Sequence, residues 1–238
     1  MCNIKNETEK NVEKKQSKIT INQIIWYLII FSIFGLIIET VFCYITTGVL
    51  ESRKGLIWGP FCPVYGVGAT ILIIILAKYN KKPIKLFIAG SIIGNIIEYS
   101  LSYILEAMYG ARFWDYSYLN WNLNGRICIT YSIFWGILAI ILIKIVKPIV
   151  DKIINKIPNN KKINTAIIIL ILIDSVATVW AVTTYQDRII KDKIRNEKSK
   201  IIQYIEDTLF SNDKMKKTFP NLRYIDESGK EHYIRDII

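Results

Sequence analysis

The chain has 238 residues, of which 52% are hydrophobic, and it carries a formal net charge of +11 at pH 7. This composition is too apolar for an ordinary soluble domain, and the length leaves room for several membrane spans with short tails. The sequence holds one histidine and no CxxC pair. We therefore expect neither a zinc site nor another cofactor.

Residues 1–22 form a polar segment rich in Lys, Glu and Asn, without the small-residue cleavage site of a signal peptide. Apolar stretches of about 20 residues, the length that crosses a bilayer, come after it. We predict an all-α, polytopic transmembrane helical bundle over residues 23–185, with five spans near 24–45, 61–76, 84–105, 127–146 and 163–184. A basic amphipathic tail, residues 186–238, follows the bundle.

Lysines and arginines are distributed unevenly around these spans. Fifteen lysines lie in 1–20, 78–85 and 144–162, whereas the two intervening loops hold four cations. The positive-inside rule therefore predicts a multi-pass protein of the cell membrane with its N-terminus in the cytoplasm. Five spans would leave the tail outside, although the tail carries twelve further cations. This distribution indicates a lipid bilayer as the partner of the positive charge and argues against nucleic acid.

The third predicted span carries polar residues along one side. At about 100° per residue they fall within a sector roughly 100° wide, and they are Ser91, Asn95, Glu98, Tyr99, Ser102 and Glu106. The GxxxG spacing of Gly90 and Gly94 would let another helix approach closely. Glu39 of the first span falls in the same predicted outer half as Glu98 and Glu106. Because a charge at bilayer depth costs about 2.5 to 3.5 kcal/mol, we predict that these carboxylates face one outward pocket.

The segment before the second span, residues 53–68, contains two prolines and four glycines. Irregular backbone at membrane depth is tolerated only where protein or a watery cavity satisfies its polar groups. One interpretation is a loop that enters the membrane, with Gly59, Pro60, Pro63, Tyr65 and Gly66 as its characteristic residues. The other is a simple turn before a helix, and the sequence favours neither.

The connection between the third and fourth spans is dense in aromatic residues around a few charges. An aromatic belt at the membrane interface explains the aromatic residues, but it does not explain the polar ones beside them. Our candidate residues here are Trp114, Asp115, Asn124 and Arg126, together with Arg53 from the other outer loop. We expect the arginines to pair with the membrane carboxylates, either within a pocket or as purely structural ion pairs.

Asp174 lies in the middle of the fifth span. Our first interpretation is a buried polar group that hydrogen-bonds a neighbouring helix, and a proton relay is the alternative. Cys43, Cys62 and Cys128 all map near the predicted outer face. A disulfide could form among them in an oxidising compartment, but the sequence specifies no pair.

The tail shows two patterns. Apolar residues recur at helical spacing among charged ones, at Ile190, Ile194, Ile201, Ile205 and Leu209. They predict an amphipathic helix that lies on a membrane surface or on a partner. Residues 222–234 predict two short strands around a turn at 227–230, and we expect a small hairpin there.

A known family is recognisable in four ordered stretches: GLIIET (35–40), RKGLIWGPFCPVYGVG (53–68), EYSLSYILE (98–106) and WDYSYLNWNLNGRICI (114–129). Together they resemble the putative ABC-transporter type IV permeases, a CmpB-like family of small bacterial membrane proteins. The resemblance covers roughly residues 25–185. It implies a permease-like subunit that works with a separate ATPase subunit. The sequence has no GxxxxGK(S/T) phosphate loop, so ATP hydrolysis would come from another polypeptide.

We therefore predict a transport-associated membrane subunit, itself no enzyme, whose carboxylates favour a cationic or zwitterionic solute or a proton. Five short spans enclose little volume, so we expect a homo-oligomer or a complex with other subunits. A second hypothesis is an intramembrane enzyme that acts on an envelope or lipid-linked substrate through two carboxylates of different pKa. Neither Cys62 nor Cys128 has a histidine near it in the sequence. This argues against an enzyme that uses either cysteine as its nucleophile. A third hypothesis is a membrane scaffold or sensor whose basic tail recruits partners.

Overall fold

The structure is a computed structural model, and it describes residues 19–109, 112, 114–190, 199–225 and 231–233. Most of the predicted cytoplasmic segment, with Cys2 and its lysines, lies outside these residues, as do Ile194 and the predicted turn at 227–230. Helices make up most of the described chain, and its strands are two or three residues long. The all-α fold is therefore confirmed.

The first helix, α1, covers Ile21–Thr47. Thr20 caps it, because its hydroxyl accepts from the Gln23 amide at 3.2 Å while the Gln23 side chain accepts from the Thr20 amide at 2.9 Å. The helix ends at Gly48, whose φ of 71° is a left-handed conformation that suits glycine. At 1.5 Å per residue, α1 is about 40 Å long, which exceeds a hydrocarbon core of about 30 Å.

The second predicted span is shorter than a bilayer requires. It corresponds to α2, Pro63–Leu76, followed by a 3₁₀ turn over Ala77–Tyr79. The 14 helical residues reach only about 21 Å. Pro63 is the first residue of the helix, where a backbone N–H would have no acceptor within the helix, so the missing N–H of proline costs nothing. Residues 49–62, which precede α2, contain no helix.

Three further helices are long and apolar enough to span a membrane: α3, Pro83–Tyr109; the continuous pair α4, Ile129–Ile141, and α5, Lys147–Ile154; and α6, Lys161–Ile190. A π-turn over Leu142–Val146 joins α4 to α5. The nitrogen of Pro148 cannot donate to a carbonyl four residues earlier, and the wider turn absorbs that loss. With α1, the described residues contain four helices of membrane length, which match four of the five predicted spans.

Consecutive helices run in opposite directions and gather the charged loops at one end. At this basic end, residues 77–86 and 147–164, Lys147 donates to Asp151 at 2.6 Å and the Tyr27 hydroxyl donates to the same carboxylate. The Asn164 amide donates to Asn22 at 2.8 Å. The opposite, aromatic end consists of residues 48–62, 112 and 114–128.

The main core fills the space between α1, α2, α3 and α4. Its fully buried side chains include Tyr27, Leu72, Ile73, Leu76, Leu86 and Ile143. The glycines of the GxxxG spacing face α4: a Cβ on Gly90 would lie 2.3 Å from the Ala139 Cβ, and one on Gly94 would lie 2.4 Å from the Trp135 Cγ. The prediction that these glycines admit another helix is therefore confirmed.

The tail forms two short helices and a hairpin at the aromatic end. Helix α7 covers Lys200–Leu209, α8 covers Asn212–Thr218, and the hairpin pairs Arg223–Ile225 antiparallel with Glu231–Tyr233. The predicted hairpin is thereby confirmed. A second core joins the tail to the end of α6 and to the loop before α2, with contributions from Ile57, Ala181, Tyr185, Phe210, Met215 and Leu222.

Candidate functional site

The polar stripe of α3 is covered by the connection that leads from α3 to α4. A tight hairpin closes this connection, with β1, Asn122–Leu123, paired to β2, Ile127–Cys128. Asn124 and Gly125 make its turn at φ 54° and 69°, a backbone conformation that asparagine and glycine tolerate best. Asp115 shapes the same connection, because its Oδ1 accepts from the Ser117 amide at 3.0 Å and from the Ser117 hydroxyl at 2.7 Å.

Glu98 is the most buried carboxylate of the stripe, at 8% exposure. Its Oε1 accepts from the Tyr116 hydroxyl at 2.9 Å, and its Oε2 accepts from the Trp135 indole N–H at 2.8 Å. The salt bridges of the described residues do not include Glu98. Tyr116 also stacks on Tyr131, with ring centroids 4.5 Å apart. Burial and the neighbouring carboxylate raise the pKa of the Tyr116 hydroxyl, so it stays protonated and able to donate at neutral pH.

Glu106 lies about two helical turns beyond Glu98 on α3 and has two cationic partners. Its Oε2 accepts from the Arg126 guanidinium and, at 3.2 Å, from Arg112 Nε. The expected pairing of an arginine with a membrane carboxylate is therefore present at this position. One carboxylate shared by two guanidinium groups leaves an excess of positive charge at this end of the stripe.

Arg126 is held from several sides and is 8% exposed. Its guanidinium donates to Ser102 Oγ at 2.9 Å, and Trp114 Nε1 donates to its backbone carbonyl at 3.1 Å. The rings of Tyr99 and Tyr103 flank it, with centroids 5.8 and 5.6 Å from the Arg126 Cζ. Aromatic faces attract a cation at such distances. The guanidinium is thus fixed in position by hydrogen bonds and by ring contacts together.

Two further hydrogen-bonded pairs extend the contact between α3 and the connection. The Asn124 amide donates to the Tyr99 hydroxyl at 3.0 Å. Asn95 donates to Ser132 Oγ at 2.7 Å, and the Asn95 Oδ1 lies 3.0 Å from the same hydroxyl. The structure therefore brings together Asn95, Glu98, Glu106, Trp114, Asn124 and Arg126 of the residues predicted from the sequence.

Sequence reasoning did not identify the donors that bind Glu98 or the Ser132 partner of Asn95. Trp135 and Ser132 stand in α4, whose sequence is apolar almost throughout. The chemistry of these side chains could have indicated the contacts with Glu98, because a tryptophan or tyrosine buried in a bilayer needs an acceptor for its N–H or O–H. Tyr116 lies in the aromatic connection between the third and fourth spans, where an aromatic belt at the membrane interface is sufficient to explain a tyrosine.

Glu39 belongs to a different group of contacts, between α1 and α2. Its carboxylate accepts from the Tyr65 hydroxyl. The two helices cross closely here, because a Cβ on Gly35 would lie 2.2 Å from the Tyr65 side chain and one on Gly66 would lie 2.1 Å from Ser32 Oγ. The structure thus places Glu39 beside α2, whereas Glu98 and Glu106 face the connection to α4.

Arg53 joins the loop before α2 to α1 and to the tail. Its guanidinium lies 2.7 Å from Cys43 Sγ and 4.0 Å from the Glu51 carboxylate. The Asn221 amide, oriented so that both of its ends are satisfied, accepts from Arg53 at 2.9 Å and donates to Glu51 at 3.1 Å. Among the salt bridges of the described residues, Arg53 pairs with Glu51 and not with Glu39, Glu98 or Glu106.

Helix α6 holds the loop before α2 through three consecutive amides. The Ile57 amide donates to Thr178 Oγ1 at 3.0 Å, and the Trp58 and Gly59 amides donate to the two oxygens of Asp174 at 3.1 and 3.0 Å. Asp174 and Thr178 lie one turn apart on one face of α6. Asp174 is 7% exposed and stands near the middle of α6. It therefore bonds a loop instead of the neighbouring helix that the sequence suggested.

The described residues contain no group of three His, Cys, Asp or Glu side chains that could hold a metal ion. Cys43, Cys62 and Cys128 are free thiols. None of these three cysteines therefore forms the disulfide that the sequence left open.

Comparison with curated proteins gave no match, and comparison with solved structures gave none either. Comparison with protein families matched residues 26–179 to the family described as Putative ABC-transporter type IV. The matched range contains the polar stripe of α3, the hairpin that covers it and the Asp174 contact with the loop, and it leaves the tail outside. Since the match covers more than half of the chain and coincides with its membrane-length helices, the chain belongs to the family Putative ABC-transporter type IV.

Proposed function

We propose that this protein is the permease-like membrane subunit of a transport system and that the polar stripe of α3 binds the solute or a proton. The proposed pocket uses Asn95, Glu98, Glu106, Trp114, Asp115, Asn124 and Arg126. Glu39 and Arg53 belong to the same proposal as residues of neighbouring elements at this end of the bundle, where they bond Tyr65 on the one hand and Cys43, Glu51 and Asn221 on the other. The family membership and the helices of membrane length support the transport assignment.

The observation that carries the proposal is the contrast between two carboxylates on one helix face. Glu98 is buried and bonded by two neutral donors, whereas Glu106 has two arginines. A carboxylate at bilayer depth without a cation carries a cost of about 2.5 to 3.5 kcal/mol on insertion scales. A proton, or a positive group on the solute, would reduce that cost. The excess positive charge near Glu106, about 12 Å along α3, suits the negative group of a zwitterion.

The same proposal includes a loop that enters the membrane, with Gly59, Pro60 and Pro63 in it and with Tyr65 and Gly66 on the first turn of α2. It is supported by the contact of the loop amides with Asp174, because Asp174 stands near the middle of a membrane-length helix. Backbone at such depth needs protein acceptors, and α6 supplies three. Asp174 then acts as a structural acceptor for the loop.

The orientation follows from the distribution of lysines, with the N-terminus in the cytoplasm and the aromatic end outside. A membrane-impermeant thiol reagent on intact cells tests it. We expect Cys2 to stay unmodified in intact cells and to react once the membrane is permeabilised. Labelling of Cys2 in intact cells would show that the N-terminus lies outside and would contradict the proposed orientation.

The main test is purification of the tagged full chain from its native membrane in mild detergent, followed by mass spectrometry of its partners and an ATPase assay. The sequence has no phosphate-binding loop, so we expect a separate nucleotide-binding subunit in fixed stoichiometry. The mass of the complex also shows whether the chain is a homo-oligomer. Recovery of the chain alone, or with envelope-building enzymes, would contradict the permease assignment and favour an intramembrane enzyme or a scaffold.

The variant Glu98→Gln tests the pocket within that complex. It keeps the size of the side chain and removes its charge, so we expect a normal amount in the membrane, normal partner recovery and a loss of at least about tenfold in solute-dependent ATPase activity. The matched control is Asp213→Asn, which neutralises an exposed carboxylate on α8 and should leave activity unchanged. Full activity in Glu98→Gln would contradict the pocket, and loss of the protein from the membrane would assign Glu98 a structural role.

A further inference from the structure

Helix α7 turns a polar edge toward the protein and its apolar side outward. Glu206 is 4% exposed and accepts from Trp180 Nε1 at 2.9 Å and from Thr184 Oγ1 at 3.0 Å. Five large apolar side chains of the same helix are exposed instead: Ile201 at 72%, Ile202 at 43%, Tyr204 at 73%, Ile205 at 38% and Leu209 at 39%. A helix on the surface of a soluble domain would bury these residues.

The exposed apolar residues of α7 form one continuous face. At about 100° per residue they occupy an arc roughly 160° wide, whose centre points about 140° away from the edge of Glu206 and Phe210 that packs on α6. The face is thus directed away from the rest of the described chain. Burying it requires a medium or a partner other than the described residues.

The contacts of α7 fix its depth relative to the membrane-length helix α6. Arg188 lies 3.1 Å from Asp207 and also donates to the Phe210 carbonyl. The Phe210 ring meets the Trp180 ring edge-on, with centroids 5.3 Å apart. Trp180 stands about 15 Å before the end of α6. Helix α7 therefore lies beside the last turns of α6, and not beyond its end.

An exposed apolar stripe of α6 ends where the Glu206 and Phe210 edge of α7 packs on that helix. Ile169, Ile173, Val176 and Trp180 follow one another at helical spacing and are 49%, 52%, 70% and 41% exposed. On a helix that spans a membrane, such a stripe faces lipid. Trp180 ends it, and an indole that combines an apolar ring with one N–H donor is typical of the membrane–water interface.

From its position at the end of this stripe we infer that α7 is seated in the lipid interface at the aromatic end of the bundle, with Ile201, Tyr204 and Ile205 in contact with acyl chains. Glu206 ties the helix to α6 at the level of the interfacial tryptophan. An amphipathic helix that lies in the plane of the interface buries its apolar face in this way. The sequence left a membrane surface and a protein partner as alternatives for the tail, and the depth set by Trp180 favours lipid. The inference does not depend on the proposed transport function.

Fluorescence quenching of the full chain in nanodiscs tests the inference. Single cysteines are introduced as Tyr204→Cys and Ile205→Cys into a variant whose native cysteines are serine, and each is labelled with bimane. The control label is at Lys217→Cys, on the exposed polar side of α8. We expect lipids with brominated acyl chains to quench the two α7 labels at least threefold more than the control. Iodide in the aqueous phase should show the opposite order.

Photocrosslinking tests the same face without removing native cysteines. A benzophenone amino acid replaces Tyr204 in the otherwise unchanged chain, and we expect crosslinks to lipid. Iodide quenching of both α7 labels without quenching by brominated lipid would show a face open to water and would overturn the inference. Crosslinks between two chains, with protection of the labels from both quenchers, would show that a second copy covers the face and would overturn it as well.

Discussion

Replacing Asp174 with asparagine tests how the loop before α2 is held against α6. One carboxylate oxygen of Asp174 accepts from the Trp58 amide at 3.1 Å, and the other accepts from the Gly59 amide at 3.0 Å. Asparagine offers one acceptor oxygen and one NH₂ group, so one of the two loop amides would face a donor. Because Asp174 is 7% exposed, little water can replace the lost acceptor.

The expected magnitude follows from these two contacts. A hydrogen bond to a charged group contributes about 1.5 to 3 kcal/mol, and a buried donor without a partner costs about 1 to 3 kcal/mol. One hydrogen bond is lost, and the other then has a neutral amide oxygen as its acceptor instead of a carboxylate. We therefore expect the loop to be destabilised by about 2 to 4 kcal/mol. For amides that exchange by local opening, this corresponds to an acceleration of roughly 30- to 700-fold.

Hydrogen–deuterium exchange of the purified chain, read by mass spectrometry on the peptide that contains residues 57–59, measures this effect. Ser175→Ala is the matched control, because Ser175 Oγ donates to the Ile171 carbonyl of its own helix at 2.8 Å. It should change stability by less than about 0.5 kcal/mol. Thr178→Val removes the acceptor of one loop amide, Ile57, and should give an intermediate acceleration. Wild-type protection in Asp174→Asn, or equal acceleration in Ser175→Ala, would refute the argument.

Three further substitutions have defined outcomes. Gly125→Ala should lower the melting temperature, because a Cβ there would lie 2.1 Å from Asp115 Oδ1 and φ is 69°. Tyr65→Phe removes the hydroxyl that donates to Glu39 and should cost about 1 to 2 kcal/mol in unfolding free energy; a double-mutant cycle with Glu39→Gln checks it, and purely additive effects would contradict the contact. Arg126→Lys keeps the charge but cannot reproduce a fork of donors, so its melting temperature should fall by roughly 3 to 10 °C. A wild-type melting curve for Arg126→Lys would show that the fork contributes nothing.

The polar stripe of α3 could be predicted because helix geometry converts sequence spacing directly into a shared face. The sequence therefore predicted that Asn95, Glu98 and Glu106 share one face of the helix. It also predicted Arg126 as a partner for a membrane carboxylate. The two donors of Glu98 could not be predicted in this way. Tyr116 and Trp135 stand 18 and 37 positions away along the chain, and no local period connects residues at such separations.

The loop before α2 shows where local pattern reaches its limit. Its glycines and prolines predict irregular backbone, but they do not indicate which element supplies the hydrogen-bond acceptors for the loop amides. Asp174 was conspicuous as a carboxylate within an apolar stretch. Its pairing with Trp58 and Gly59, more than 100 positions earlier in the chain, depends on how α6 packs in the bundle.

Composition and hydrophobic length determined the membrane class and the four long helices, and local sequence spacing determined the stripe on α3 and the strands of the tail, because each of these features depends on residues that are close together in the sequence. Only the tertiary structure decided that Glu106 takes both arginines, that Glu39 bonds Tyr65 and that α7 directs its apolar face outward. These outcomes depend on the rotation and depth of one helix against another. Close contacts at small residues such as Gly35, Gly90 and Gly94 set that rotation and depth, and hydrophobic periodicity within a single helix does not specify them.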